Sequence, residues 1–225
     1  MIRLAALLVL NLIINPLQAQ NKDSVTIIGV GDIMMGSNYP DNAVLPPNDG
    51  QFLLEEVGDI LRSADLTMGN LEGVLLDEGG TPKSCRNPKV CYVFRTPERY
   101  VQNLVAAGFD VMSLANNHAG DFGEVGKNSS TKTLDTAGIH YAGQLPTKSI
   151  VFEKEGITYG FAAFAPNSGC VSLNDLVGAK AITEHLDSLS DIVIVSFHGG
   201  AEGASHQHVS RATEIFYGEN RGDVY

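Results

Sequence analysis

A small set of polar residues in this chain has the right types for chemistry. They are Asp32; Asn70 with Glu72; Asn116, Asn117 and His118; and His198. Carboxylate, amide and imidazole groups together form a hard-to-borderline donor set, suited to manganese, iron or zinc. A metal pair held by such a set lowers the pKa of a bound water and polarises a phosphoryl or carbonyl oxygen. His118 could then serve as the general acid for the leaving group. Each residue also has a structural reading. An Asp after a strand caps the next helix, an Asn at a strand-to-loop corner takes a left-handed turn, and a lone His hydrogen-bonds within a core. The joint occurrence of these groups is what points to a site.

The elements that must position them are legible from the apolar pattern. Phe109 to Leu114 reads as a buried strand without a breaker, and it delivers Asn116, Asn117 and His118 within the stretch FDVMSLANNHAGDFG. Val25 to Val30 is a strand with Asp32 just past its carboxyl end. Phe52, Leu53, Val57, Ile60 and Leu61 recur at helical spacing, which stops near Ser63 and Ala64. Asp65 to Gly69 is a short strand that delivers Asn70 and Glu72. Gly73 to Phe94 reads as a loop insertion with a short strand at Cys91 to Phe94. Thr96 is then an N-cap with Pro97 in the first helical position, and that helix stops at Gly108.

A helix from Ser130 to Ala137 ends at Gly138, and Ile139 to Gly143 is a further strand. Ser149 to Glu153 and Thr158 to Phe164 flank a turn, which predicts a hairpin at the sheet edge. Leu176, Ala179, Ile182, Leu186 and Leu189 outline the longest helix, and Asp191 to Phe197 is a strand delivering His198. This alternation predicts an α/β fold with a mixed, mainly parallel β-sheet flanked by helices. In such folds ligands gather outside the carboxyl ends of the strands. Asp32, Asn70 with Glu72, Asn117 with His118, and His198 each follow a different strand, so all project to one edge.

The 225 residues are 44% hydrophobic and 18% charged, as in a folded globular protein. A formal net charge of −11 argues against a nucleic-acid-binding surface and is compatible with a site for cations. At the N-terminus Arg3 precedes an apolar run from Leu4 to Ile14, followed by Pro16-Leu17-Gln18-Ala19. This is the layout of a secretory signal peptide over residues 1–19, with a buried first helix or an uncleaved anchor as the alternative. Its removal takes the charge from −11 to about −12. The mature chain, beginning near Gln20 to Lys22 and carrying a single domain over residues 25–225, is then exported to the periplasm, the cell surface or the medium. In such an oxidising compartment Cys85 and Cys91, in a polar Pro-containing loop, are expected to form a local disulfide, leaving Cys170 inert.

The strings Gly31-Asp32-Ile33-Met34-Met35-Gly36, Asn70-Leu71-Glu72-Gly73, Leu114-Ala115-Asn116-Asn117-His118-Ala119 and Phe197-His198-Gly199-Gly200 resemble the ordered motifs of the CapA family. These are capsule-synthesis proteins associated with poly-γ-glutamate, placed in the calcineurin-like metallophosphatase superfamily. The resemblance implies a layered metallophosphatase-like fold. It makes Asp32 a first-motif metal ligand, Glu72 a bridging carboxylate, Asn117 and His198 further ligands, and His118 the acid or transition-state stabiliser. Asn70 and Asn116 are supporting neighbours of those ligands. His206 and His208 read as an exposed loop pair, close enough to His198 in sequence to stand as candidates for the same support.

The chain departs from the superfamily's pattern in two places. Met34 stands two residues after Asp32 where the superfamily has a histidine ligand. The chain also reaches Asp223-Val224-Tyr225 where a helix leading to a final Gly-His-x-His motif would begin, so a fragment ending before the last ligands is expected. The resemblance implies a role in making or exporting an anionic poly-γ-glutamate capsule beside membrane-bound capsule-synthesis partners. In its enzymatic version the protein is a metal-dependent hydrolase of a phosphoester or γ-linked amide. In the other version, which the missing histidine favours, a non-catalytic module binds or guides the polyanion.

Overall fold

Two β-sheets lie face to face with helices on both outer sides. A computed structural model describes residues 24–85, 87–88, 91–209 and 211–223. The chain runs β1 (Ile27–Ile33), α1 (Glu55–Arg62), β2 (Leu66–Leu71), β3 (Val74–Leu75), β4 (Arg95–Thr96), α2 (Val101–Ala107), β5 (Val111–Ser113), α3 (Gly123–Ala137), β6 (His140–Ala142), β7 (Ser149–Lys154), β8 (Ile157–Phe164), α4 (Leu176–Asp187) and β9 (Ile192–Phe197), then the small hairpin β10 (Ile215–Phe216) and β11 (Glu219–Asn220). The first sheet is 4-stranded in the order β1-β2-β5-β6, and all its pairings are parallel. The second has the order β7-β8-β9, with β7 antiparallel and β9 parallel to β8.

Side-chain alternation explains the layering. In β5, Met112 points to one face, where it meets Leu61 of α1, Leu104 of α2 and Leu134 of α3. Val111 points to the other face, where Leu66 and Ala142 pack against Phe152, Tyr159 and Phe161 of the second sheet. The far face of that sheet presents Ala162, Phe164 and Val193 to Ile182 and Leu186 of α4. Strands buried on both faces are why the sequence shows continuous apolar runs there instead of alternation.

Several local expectations change. Asp32 lies inside β1, not beyond it, because an extra residue between Gly29 and Asp32 bulges the strand and brings Asp32 opposite Asn70 of β2. Thr96 caps no helix: it belongs to β4, and its hydroxyl donates to Gly36 O at 2.8 Å. The expected strand at Cys91 to Phe94 is absent, and the pairing falls instead on Arg95–Thr96. The hairpin of β7 and β8 belongs to a second sheet, not to the edge of the first. Among the described residues the longest helix is α3, which starts at Gly123 and so outruns α4. Its first two turns, Gly-Glu-Val-Gly-Lys-Asn, carry little apolar periodicity to reveal them. Gly108 and Gly138 do end their helices in the left-handed conformation.

Cys85 and Cys91 are joined by a disulfide, and Cys170 is buried with a free thiol. The expected signal segment lies outside the described residues. Among those described, no helix is long and apolar enough to cross a membrane.

One glycine is fixed by the site it backs. Gly143, after β6, has φ +114°, and a Cβ there would sit 2.7 Å from Ala115 Cβ and 2.9 Å from Ala115 N. Ala115 begins the turn that carries Asn116 to His118. Gly143→Ala is expected to cost about 3 kcal/mol in chemical denaturation, through strain and overpacking together.

Candidate metal centre

The carboxyl ends of β1, β2, β5 and β9 converge, although β9 belongs to the second sheet. Asp32, Glu72 and His198 each bring a donor atom to one place, and these atoms lie within 4.8 Å of one another. Asp32 is half-exposed, whereas Glu72 is nearly buried. Burial, then a hydrogen bond and charge repulsion from Asp32, push the Glu72 carboxyl up to about 7. The hydrogen-bonded His198 ring holds Asp32 well below the usual carboxylate range, with help from Asn70 and against the opposing effect of burial. Two adjacent carboxyls that resist sharing negative charge are suited to a cation.

A ladder of amides orients these groups. Asn70 Nδ2 donates to Asp32 Oδ1 at 2.7 Å, and Asn116 Nδ2 donates to Asn70 Oδ1 at 3.0 Å and to Leu71 O at 2.9 Å. Asn116 Oδ1 accepts from His118 N at 3.0 Å, which closes the turn. Asn117 faces the second sheet, where its Oδ1 lies 2.7 Å from His198 Nε2. An amide oxygen only accepts, so this network assigns a proton to Nε2. Nδ1 of His198 is then turned toward Asp32 Oδ1, 3.6 Å away. Asn117 thus meets the cluster through His198, with its oxygen engaged by that ring.

His118 is buried beside this donor set, with Nε2 3.8 Å from Glu72 Oε1. Its ring packs on Phe94 with centroids 4.4 Å apart. Nδ1 lies 2.8 Å from Asp121 Oδ2, and the Asp121 side chain is wholly buried. Lys83 reaches the same carboxylate from the loop between β3 and β4, with Nζ 2.6 Å from Asp121 Oδ1. Neither Asp121 nor Lys83 was singled out from the sequence. Asp121 had a usable signal, since it follows His118 by three residues within one polar turn. Lys83 lies in an irregular loop, where no period announces it.

A cavity of about 230 Å³ opens against Glu72, walled by Met34, Gly36, Ser37, Val44, Phe94 and Thr96. Met34, two residues after Asp32, is part of that wall. His206 and His208 are exposed, and the His206 ring meets Phe216 edge-on with centroids 6.0 Å apart.

Residues 26–214 match the family described as "Bacterial capsule synthesis protein PGA_cap". The chain is 28% identical over 208 residues to "Capsule biosynthesis protein CapA" of Bacillus anthracis, covering 83% of this chain and 49% of that protein. It is 28% identical over 190 residues to "PGA biosynthesis protein CapA" of Bacillus subtilis, covering 77% and 48% respectively. The chain therefore spans about half the length of the curated relatives it matches. A crystal structure of a hypothetical protein from Thermus thermophilus aligns with 85% of this chain and 67% of that one, at TM-score 0.42 and 20% identity.

Proposed function

The chain belongs to the bacterial capsule synthesis family PGA_cap, and from that membership we propose that it is an exported capsule-biosynthesis protein with a metal-dependent hydrolase site. The observation that carries the enzymatic reading is the donor set of Asp32, Glu72 and His198 with His118 Nε2 beside it. Two carboxylates and an imidazole, with Nδ1 of that imidazole facing inward, fit a divalent ion of the manganese, iron or zinc class. Such an ion, when bound, supplies Lewis-acid polarisation of a phosphoryl or amide carbonyl oxygen.

The chain's own residues do the rest. Asn70 and Asn116 hold Asp32 and the 116–118 turn in register. Asn117 orients the His198 ring. Asp121 accepts a hydrogen bond from His118 Nδ1, so Nε2 is the nitrogen that exchanges protons at the site and, in the doubly protonated ring, donates to a leaving oxygen or nitrogen. Phe94 and Met34 wall the adjoining cavity. The substrate class is a phosphoester or γ-linked amide of an anionic polymer such as poly-γ-glutamate, handled with membrane-bound capsule-synthesis partners.

Metal analysis of the purified protein, followed by assays on an aryl phosphodiester, an aryl phosphomonoester and a γ-glutamyl anilide with added manganese, tests this. Stoichiometric metal with turnover of one substrate is expected. Stoichiometric metal without turnover of any would replace the enzyme with a module that binds the polyanion through its cation.

A further inference from the structure

The Asp121 carboxylate is wholly buried, with Oδ2 hydrogen-bonded and Oδ1 held by an ion pair alone. Oδ2 accepts from His118 Nδ1 at 2.8 Å and from Phe94 N at 2.7 Å, while Oδ1 faces Lys83 Nζ at 2.6 Å. Lys83 holds the same turn at two further points. Its main-chain N donates to Asp121 O at 2.7 Å, and Nζ donates to Asn117 O at 3.1 Å. A carboxylate at this depth persists only when paired and hydrogen-bonded, and the Lys83 ammonium is the cation that pairs it.

We propose that Lys83 is a positioning residue, which through Asp121 fixes His118 in the tautomer with its proton on Nδ1 and Nε2 turned to the donor set. An ionised carboxylate accepts hydrogen bonds and donates none. While Lys83 pairs it, Asp121 demands a proton on His118 Nδ1, so the lone pair of the neutral ring lies on Nε2. Lys83 Nζ also lies 3.3 Å from His118 Nδ1. Both atoms are donors in this arrangement, so the ammonium sits beside the Nδ1–H···Oδ2 bond without competing for it. The main-chain and Asn117 contacts keep Lys83, and with it the loop that carries it, over the 117–121 turn. Without the ammonium, Oδ1 loses its only charged partner among the described residues, so the buried carboxyl takes up a proton from solvent and donates it in a hydrogen bond to His118 Nδ1, which leaves the proton of the neutral ring on Nε2. The inference rests on the reading of His118 as the proton-transferring group for its effect on turnover, but not for its effect on the tautomer.

The test uses the full chain labelled with 15N-histidine, with no metal added. Long-range 1H–15N spectra report the tautomer, and the His118 signals are assigned by their disappearance in His118→Asn. The wild type is expected to show the Nδ1–H form at His118. Folded Lys83→Met is expected to shift His118 predominantly to the Nε2–H form. With manganese and a substrate that is turned over, the same variant should lose about a hundredfold in kcat with KM within about twofold, as when a catalytic imidazole adopts the wrong tautomer. Lys83→Arg should restore the wild-type tautomer and most of the turnover. Lys83→Gln, which keeps a donor for Asn117 O, covers the case in which the Met variant does not fold. A folded Met or Gln variant with the wild-type tautomer overturns the proposal. So does failure of both to fold, since Lys83 would then serve the fold alone. Because the tautomer is read without metal or substrate, a protein with no turnover defeats the enzymatic reading and leaves the Lys83 result standing on its own.

Discussion

His118→Asn is expected to keep the fold and the metal while lowering turnover by about 10²- to 10⁴-fold, the range for losing a general acid. Its ring supplies none of the donor atoms in the cluster of Asp32, Glu72 and His198. The fold should survive because Asp121 retains Lys83 on Oδ1 and Phe94 N on Oδ2 when the imidazole is gone. The stability cost is then that of one hydrogen bond and some packing on Phe94, about 1–2 kcal/mol. Asparagine cannot carry a proton to a leaving group, so the loss should fall on kcat with KM little changed. Metal content, melting temperature and steady-state kinetics on the same preparation separate these effects. A variant that keeps full turnover would remove His118 from the chemistry. One that loses its metal would make His118 part of the cation site.

Much of this arrangement was legible because β2, β5 and β8 are buried on both faces, and β9, though partly exposed, is as rich in apolar residues. Apolar-rich runs such as Phe109 to Leu114 and Ile192 to Phe197 mark their own ends, and the polar residues that follow stand out by contrast. The hairpin around Glu155 and Gly156 was equally visible, both residues taking positive φ at the turn. What escaped is what sequence distance hides. The strands fall into two sheets, and nothing local tells that β8 pairs with β9 while leaving β6 to another layer. The bulge before Asp32 depends on how β1 registers with β2, and Gly69 has no side chain where Ile33 and Val30 crowd in. The position of Asn117 shifted for a related reason. Its residue type suits a ligand, but only the packing of the two sheets brings the His198 ring to its oxygen. Lys83 is the extreme case, since its meaning comes entirely from a loop returning over the 117–121 turn. Local pattern therefore identified the groups able to do chemistry, and long-range pairing decided what each one touches.

Metal affinity should be steeply dependent on pH, and Glu72 sets the slope. The raised value of about 7 means that a proton occupies this carboxyl through the mildly acidic range, whereas Asp32 stays ionised there. A cation must displace that proton, so affinity for manganese should fall about tenfold for each pH unit below about 7, or about a hundredfold between pH 7 and pH 5. Glu72→Gln should bind more weakly at pH 8 and lose this part of the slope, so the difference between wild type and variant isolates the Glu72 contribution from any other titrating group. Stability without metal runs the other way. The unfolded chain releases the Glu72 proton near its ordinary value of 4.5, while the folded chain keeps it until about 7. The folded state therefore binds more protons across that window, and its stability falls as pH rises through it. Asp32 contributes the opposite sign: its lowered value stabilises the fold above 3.8, and that contribution is lost only as the solution becomes strongly acidic. Calorimetric titration with manganese at several pH values, paired with denaturant melts of the metal-free protein, reads both effects. Parallel slopes for wild type and Glu72→Gln in both measurements would show that the Glu72 carboxyl neither shares charge with Asp32 nor meets the cation.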